Sequence, residues 1–142
     1  MRSGILALVF LAGLQLSATA GDAFPRFRHK VIDPNIGNVC YAVTPADVNG
    51  DGKLDIVAVS ENRVLWYQAP NWGPRVMIKD QTPRDNVCIA PLDIDQDGKI
   101  DFALGAGWTS KGTLHWIRRG KSLTVPWQVH QIGTERWTHR MR

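Results

Sequence analysis

Asp47-Val48-Asn49-Gly50-Asp51-Gly52-Lys53-Leu54-Asp55 returns 46 residues later as Asp93-Ile94-Asp95-Gln96-Asp97-Gly98-Lys99-Ile100-Asp101. In each copy an oxygen-bearing side chain holds positions 1, 3, 5 and 9, and glycine holds position 6. Asp, Asn and Gly are also ordinary turn formers, so one copy alone reads equally well as a polar hairpin loop. Two copies in one register favour a cage for a hard cation. Calcium takes six to eight oxygens at about 2.3–2.6 Å, and a tight loop that turns alternate side chains inward supplies most of them. On that reading Asp47, Asn49, Asp51 and Asp55 offer side-chain oxygens, Lys53 offers its carbonyl, and Gly52 permits the bend. The second cage uses Asp93, Asp95, Asp97, Asp101 and the carbonyl of Lys99. An EF-hand needs a bidentate glutamate at position 12, where this chain has Ala58 and Leu104. With every ligand drawn from one short loop, two structural Ca2+ sites are expected rather than a substrate-activating one. The second cage has four carboxylates against three, which on charge alone predicts tighter binding there.

Outward from the cages the pattern is one of short strands. Asn38 to Ala46 carries Val39, Tyr41 and Val43 in alternation, and Ile56-Val57-Ala58-Val59 is the unbroken apolar run of a strand buried on both faces. Glu61-Asn62 reads as a tight turn, Val64 to Tyr67 as a strand, Pro70 to Pro74 as a loop, and Arg75 to Ile78 as a strand. The order repeats through Asn86 to Leu92, the second cage, Phe102 to Leu104, a turn over Gly105 to Gly112, Leu114 to Ile117 and Trp127 to Ile132. A period in the forties with four short strands per unit points to the blades of an all-β propeller. The boundaries are a blade over 38–79, a blade over 86–132 and the start of a further blade at 137–142. Arg26 to Ile32 reads as the outermost strand of another blade. About two blades cannot close a ring of the usual four to eight, so a propeller fragment is expected.

Residues 1–20 read as a secretory signal: Arg2 is the basic start, Ile5 to Leu16 the apolar run, and Ala18-Thr19-Ala20 the cleavage site. The run is too short for a spanning helix of roughly 20 residues, and no later segment is long enough. A secreted protein, extracellular or periplasmic, is the implication. The full chain carries 17 basic and 13 acidic residues besides its histidines, a net charge of +4. Without Arg2 the balance is 16 against 13, or +3, which is too weak to imply a nucleic-acid partner. Cys40 and Cys88 occupy matching places in the repeat, Asn38-Val39-Cys40 and Asn86-Val87-Cys88. They are read either as a disulfide or as two buried thiols.

At the two cages and the apolar strands that follow them, the sequence resembles the FG-GAP/VCBS repeat family of extracellular β-propellers, from about Phe27 to Arg142. The strict FG-GAP tripeptides are absent, so the VCBS-like variant is the better match. The resemblance implies that each cage is the hairpin loop between the first two strands of a blade, stiffened by calcium through the ten residues named above. Integrin-like ligand binding does not follow from it, and the role expected of the module in the intact protein is interaction with a protein or carbohydrate ligand. A slighter resemblance, at Thr138-His139-Arg140-Met141-Arg142, is to the propeller of aldos-2-ulose dehydratase-like lyases, which implies a metal-dependent sugar dehydratase or isomerase with His139 and Arg140 on an inner strand.

Six tryptophans remain to be placed. Trp66 and Trp116 hold matching strand positions and are expected between blades, whereas Trp72 and Trp108 lie in loops and are candidates for glycan contact. His29, His115, His130 and His139 have no zinc spacing, and no hydrolase elbow or phosphate loop occurs. His29 and His130 read as surface residues.

Overall fold

The structure, a computed structural model, describes residues 24–108 and 111–141. The signal reading of residues 1–20 lies outside the described residues. The described residues from Val31 onward form one compact unit, to which residues 24–30 do not belong. The described residues contain two four-stranded antiparallel sheets, no helix, and no closure of the sheets into a ring. Accordingly none of them forms a helix long and apolar enough to cross a membrane.

The first sheet comprises β1 (Cys40–Ala46), β2 (Asp55–Ser60), β3 (Arg63–Gln68) and β4 (Gly73–Lys79). The second comprises β5 (Asn86–Leu92), β6 (Asp101–Ala106), β7 (Thr113–Arg118) and β8 (Gln128–Thr134). In both, sequential strands are spatial neighbours, as short hairpin connections dictate. Pro74, expected in the loop, belongs to β4 and pairs with Tyr67. Its missing N–H is tolerated because β4 is the sheet edge.

Alternate side chains of a strand face opposite sides, and β2 and β3 are apolar on both. Val57, Val59, Val64, Trp66 and Ile78 join Ile89, Phe102, Leu104, Ile117 and Trp127 in the main core between the sheets. Phe102 and Trp127 pack with ring centroids 5.8 Å apart. Ala58, Leu65 and Tyr67 form a second cluster on the other face of the first sheet, covered by Ile32, Ile36, Ile56 and Trp72. Burial of apolar area of this kind is worth roughly 25 cal/mol per Å2. The backbone joins the sheets where Trp127 N–H donates to the Met77 carbonyl (3.3 Å) and Asp85 N–H to the Glu61 carbonyl (2.7 Å).

Two further expectations are corrected. Residues 26–32 form no strand. Asp33 Oδ1 instead accepts from Asn35 N–H at 2.7 Å, turning the chain beside Pro34, and Asp33 Oδ2 accepts from Tyr67 Oη at 2.7 Å. Arg63 Nη2 donates to the Ile36 carbonyl at 2.5 Å. The segment after Val31 thus covers its blade with side chains and capped carbonyls, without a ladder. The cysteines, second, are not equivalent. Cys40 pairs with Ser60 and Asn86 with Ala106, so Cys40 matches Asn86, and the Asn-Val-Cys triplets are out of register by two residues. Both thiols are free; Cys40 is exposed and Cys88 buried. Burial raises the pKa of both, the weakly shielded Cys40 included.

His115 occupies the place in β7 that Leu65 holds in β3, opposite Leu104 as Leu65 is opposite Ala58. It is 4% exposed; Nε2 lies 2.8 Å from Thr113 Oγ1, while Nδ1 is buried without a partner. Burial lowers its pKa from 6.5. The unfolded chain therefore takes up a proton that the folded chain resists, and stability falls as pH drops below about 6.5. Urea melts at about pH 5 and about pH 7.5 are expected to show this slope in the native sequence, and His115→Leu is expected to flatten it.

Candidate metal loops

Each acidic loop joins the first strand of a sheet to the second: β1 to β2 and β5 to β6. Position 1 organises the turn through its carboxylate. Asp47 Oδ1 accepts from the N–H groups of Gly50 (2.9 Å) and Asp51 (3.0 Å), and Oδ2 from Gly52 (2.8 Å). Asp93 does the same with Asp97 (3.1 Å) and Gly98 (2.9 Å). Gly52 and Gly98 have φ of 81° and 82°, as expected of position 6. Position 4 also lies in the left-handed region, at Gly50 (φ 77°) and, at some strain, Gln96 (φ 60°). That requirement was hidden in the sequence because the second copy is not glycine.

Positions 3 and 5 differ between the copies. Asn49 Nδ2 donates to Asp51 Oδ2 at 3.0 Å. This bond, followed by that from Lys53 N–H, holds the Asp51 carboxyl below the usual carboxylate range. In the second loop Arg118 Nη2 forms an ion pair with Asp95 Oδ2 at 2.6 Å, and Lys99 Nζ one with Asp97 Oδ2 at 2.8 Å. The Lys99 side chain is the main cause of the lowered Asp97 pKa. Gln68, which closes β3 as Arg118 closes β7, leaves the first loop without that cation.

Position 9 is where the structure adds most. Asp55 is fully buried: Oδ2 accepts from Trp66 Nε1 at 2.8 Å and Oδ1 from Ala69 N–H at 2.9 Å. Asp101, 2% exposed, accepts from Trp116 Nε1 at 2.9 Å and Arg119 N–H at 3.0 Å. These carboxylates tie each loop to the third strand of its own blade. A carboxylate oxygen has two lone pairs, so the ties leave acceptor capacity on the loop side. One oxygen each from Asp93, Asp95 and Asp101 lies within 4.8 Å of the others. Asp95 Oδ1 is buried there without a hydrogen-bond partner. An all-oxygen set with an unmet buried acceptor fits a hard divalent cation.

The remaining sequence candidates scatter. Trp66 lies in the main core, while Trp116, partly buried on the far side of the second sheet, stacks near His130 and Arg118. Trp72 is partly buried against the second cluster, which removes it as an exposed glycan contact. Trp108 is 40% exposed, and His29 and His130 are on the surface as expected. His139 and Arg140 are exposed and lie on no strand. Sequence reading missed Trp66 and Trp116 as partners of position 9; their matching places in β3 and β7 were the available signal.

Residues 47–104, from the first loop into the strand after the second, match the family model for the FG-GAP-like repeat. The match covers less than half of the chain and is consistent with the two four-stranded sheets being β-propeller blades. No curated protein and no solved structure matches the chain.

Replacing Trp66 with Phe keeps the ring but leaves the buried Asp55 Oδ2 without its donor. A loss of about 1–3 kcal/mol in unfolding free energy by urea titration is expected. Trp116→Phe is expected to cost less, because Trp116 is less buried.

Proposed function

We propose that this FG-GAP-like repeat segment is a secreted, calcium-stabilised propeller module whose role in the intact protein is interaction with a protein or glycan partner. The observation that carries the calcium reading is the convergence of Asp93, Asp95 and Asp101 around an unpartnered buried oxygen of Asp95. The same sequence pattern, in the same place between first and second strands, recurs at Asp47 to Asp55, although among the described residues only the second loop gathers three carboxylates. Secretion is supported by the signal-like pattern of residues 1–20.

Bound calcium would be held by Asp47, Asn49, Asp51, Asp55 and the Lys53 carbonyl in one loop, and by Asp93, Asp95, Asp97, Asp101 and the Lys99 carbonyl in the other. The ion supplies positive charge that relieves carboxylate repulsion. The chain's own residues do the rest. Asp55 and Asp101 transmit loop order to Trp66 and Trp116, and Val48, fully buried in the main core, seats the first loop against the second blade. Arg119 Nη1 adds a bond to the Val48 carbonyl at 3.4 Å. The module is thereby a rigid support for loops and strand ends that meet a partner, the usual division of labour between scaffold and surface.

Calcium at about 100 times its Kd is expected to add about 2.7 kcal/mol of stability per site, seen as a raised melting temperature that a chelator reverses. Although formal charge favours the second loop, Arg118 and Lys99 already compensate it. The first loop is therefore expected to fill first in a calorimetric titration, with Asn49→Ala and Asp95→Ala assigning the two steps. Arg118→Gln is expected to raise second-loop affinity about fivefold. Second-loop filling first in the native chain, or no response to Arg118→Gln, would contradict this order.

A further inference from the structure

Of the six asparagines in the chain, only Asn49, in the first acidic loop, is followed by glycine. The others precede Ile36, Val39, Arg63, Trp72 and Val87, whose side chains screen the backbone nitrogen next to the asparagine. That nitrogen is a latent nucleophile. It lies in the same chain as the asparagine side-chain carbonyl and can close a five-membered imide on it, and glycine sets no Cβ in the way.

The loop brings the groups that such a closure uses into contact. Gly50 is exposed, and a methyl group placed on it would meet nothing within 4 Å. Its N–H, which must lose its proton, donates to Asp47 Oδ1 at 2.9 Å. Asn49 Oδ1, where negative charge gathers during the attack, accepts from Asp51 N–H at 3.1 Å, a donor it shares with Asp47 Oδ1. Asn49 Nδ2, the leaving nitrogen, donates to Asp51 Oδ2 at 3.0 Å. A carboxylate on the nucleophile, a backbone N–H on the developing oxyanion and a hydrogen-bonded leaving group are the aids that acyl-transfer sites use. In the second loop the matching residues are Asp95 and Gln96, so neither reacting group is present there.

What the reaction would make at position 3 is what the second loop already has. Asp95 holds that place, and its carboxylate lies within 4.8 Å of those of Asp93 and Asp101. In the first loop Asn49 interrupts the same set, between Asp47 and Asp55.

We infer that Asn49 is a site of spontaneous deamidation that rewrites the cation set of the first loop; the consequence rests on the calcium reading, the reaction does not. The bond from Gly50 N to Asn49 Cγ forms, the Cγ–Nδ2 bond breaks, and the Gly50 proton departs with the amide as ammonia. Water then opens the imide. Cleavage between Gly50 N and Cγ leaves an aspartate at position 49, and cleavage between Gly50 N and the Asn49 backbone carbonyl leaves an isoaspartate. In sum one water is consumed and one ammonia is released, with no oxidant and no cofactor. The aspartate completes the set that the second loop has. The isoaspartate routes the main chain through the former side chain, which shifts the loop oxygens out of register.

The test is peptide mapping by mass spectrometry of the full chain, kept in chelator at neutral pH and body temperature. Residue 49 is expected to gain about 1 Da, an amide becoming an acid, ahead of Asn35, Asn38, Asn62, Asn71 and Asn86. Gly50→Gln is expected to slow that gain about tenfold. Gln96 holds the matching backbone place at φ 60°, so the loop accepts this residue. A gain at residue 49 that trails the other asparagines, or one that proceeds equally fast in Gly50→Gln, would overturn the site. The ranking needs no variant and decides the matter even where Gly50→Gln does not fold. For the consequence, Asn49→Asp is expected to raise first-loop calcium affinity about fivefold in calorimetry. No change there would overturn the rewriting of the loop. A native chain that deamidates at residue 49 but takes up no calcium would overturn the calcium reading and leave the site standing.

Discussion

Two buried carboxylates, Asp55 and Asp101, are the constraint on which the rest of this structure depends. Each accepts an indole N–H and a backbone N–H beyond the third strand, with almost no access to water. A buried carboxylate without partners is strongly destabilising, so the third strand of each blade must be positioned to supply these donors. The acidic loop and the third strand are thereby built as one unit. The same residue faces the acidic loop on one side and the sheet on the other, which is how order in an exposed hairpin reaches the interior.

Between the blades the principle is different. Contact is almost wholly apolar, through Val57, Val59, Trp66 and Ile78 on one side and Phe102, Leu104, Ile117 and Trp127 on the other. Apolar burial is non-directional, so the relative placement of the blades needs added fixing. The Trp127–Met77 and Asp85–Glu61 backbone bonds and the buried Val48 from the first loop supply it. His115 is the polar exception at an otherwise leucine-like position, and this explains why pH should act on the blade interface.

Much of the fold was legible because its signals are local. Apolar runs such as Ile56 to Val59 and loops such as Asp47 to Asp55 are properties of consecutive residues, and the eight strands of the described residues overlap the segments that alternation and turn chemistry marked, with ends shifted at Pro74 and Gly105. The failures are equally specific. Residues 26–32 have strand composition but form no ladder, since a strand exists only against a partner. The Asn-Val-Cys triplets suggested equivalence, but pairing with Ser60 and Ala106 set a register shifted by two residues. Gln96 takes a left-handed backbone that its type does not announce.

The sequence by itself determined the blade repeat, the loop oxygens and the order of strands, because these are written in spacing along the chain. Only the tertiary structure decided that position 9 is shared between loop and sheet, that Arg118 reaches Asp95, and that Tyr41, Trp108 and His139 form one cluster. Those relations join residues far apart in the chain, through bulges and turns whose side-chain directions no local pattern encodes. That is why Asp47 to Asp55 could be read as an acidic turn from nine letters, while its anchoring through Asp55 could not.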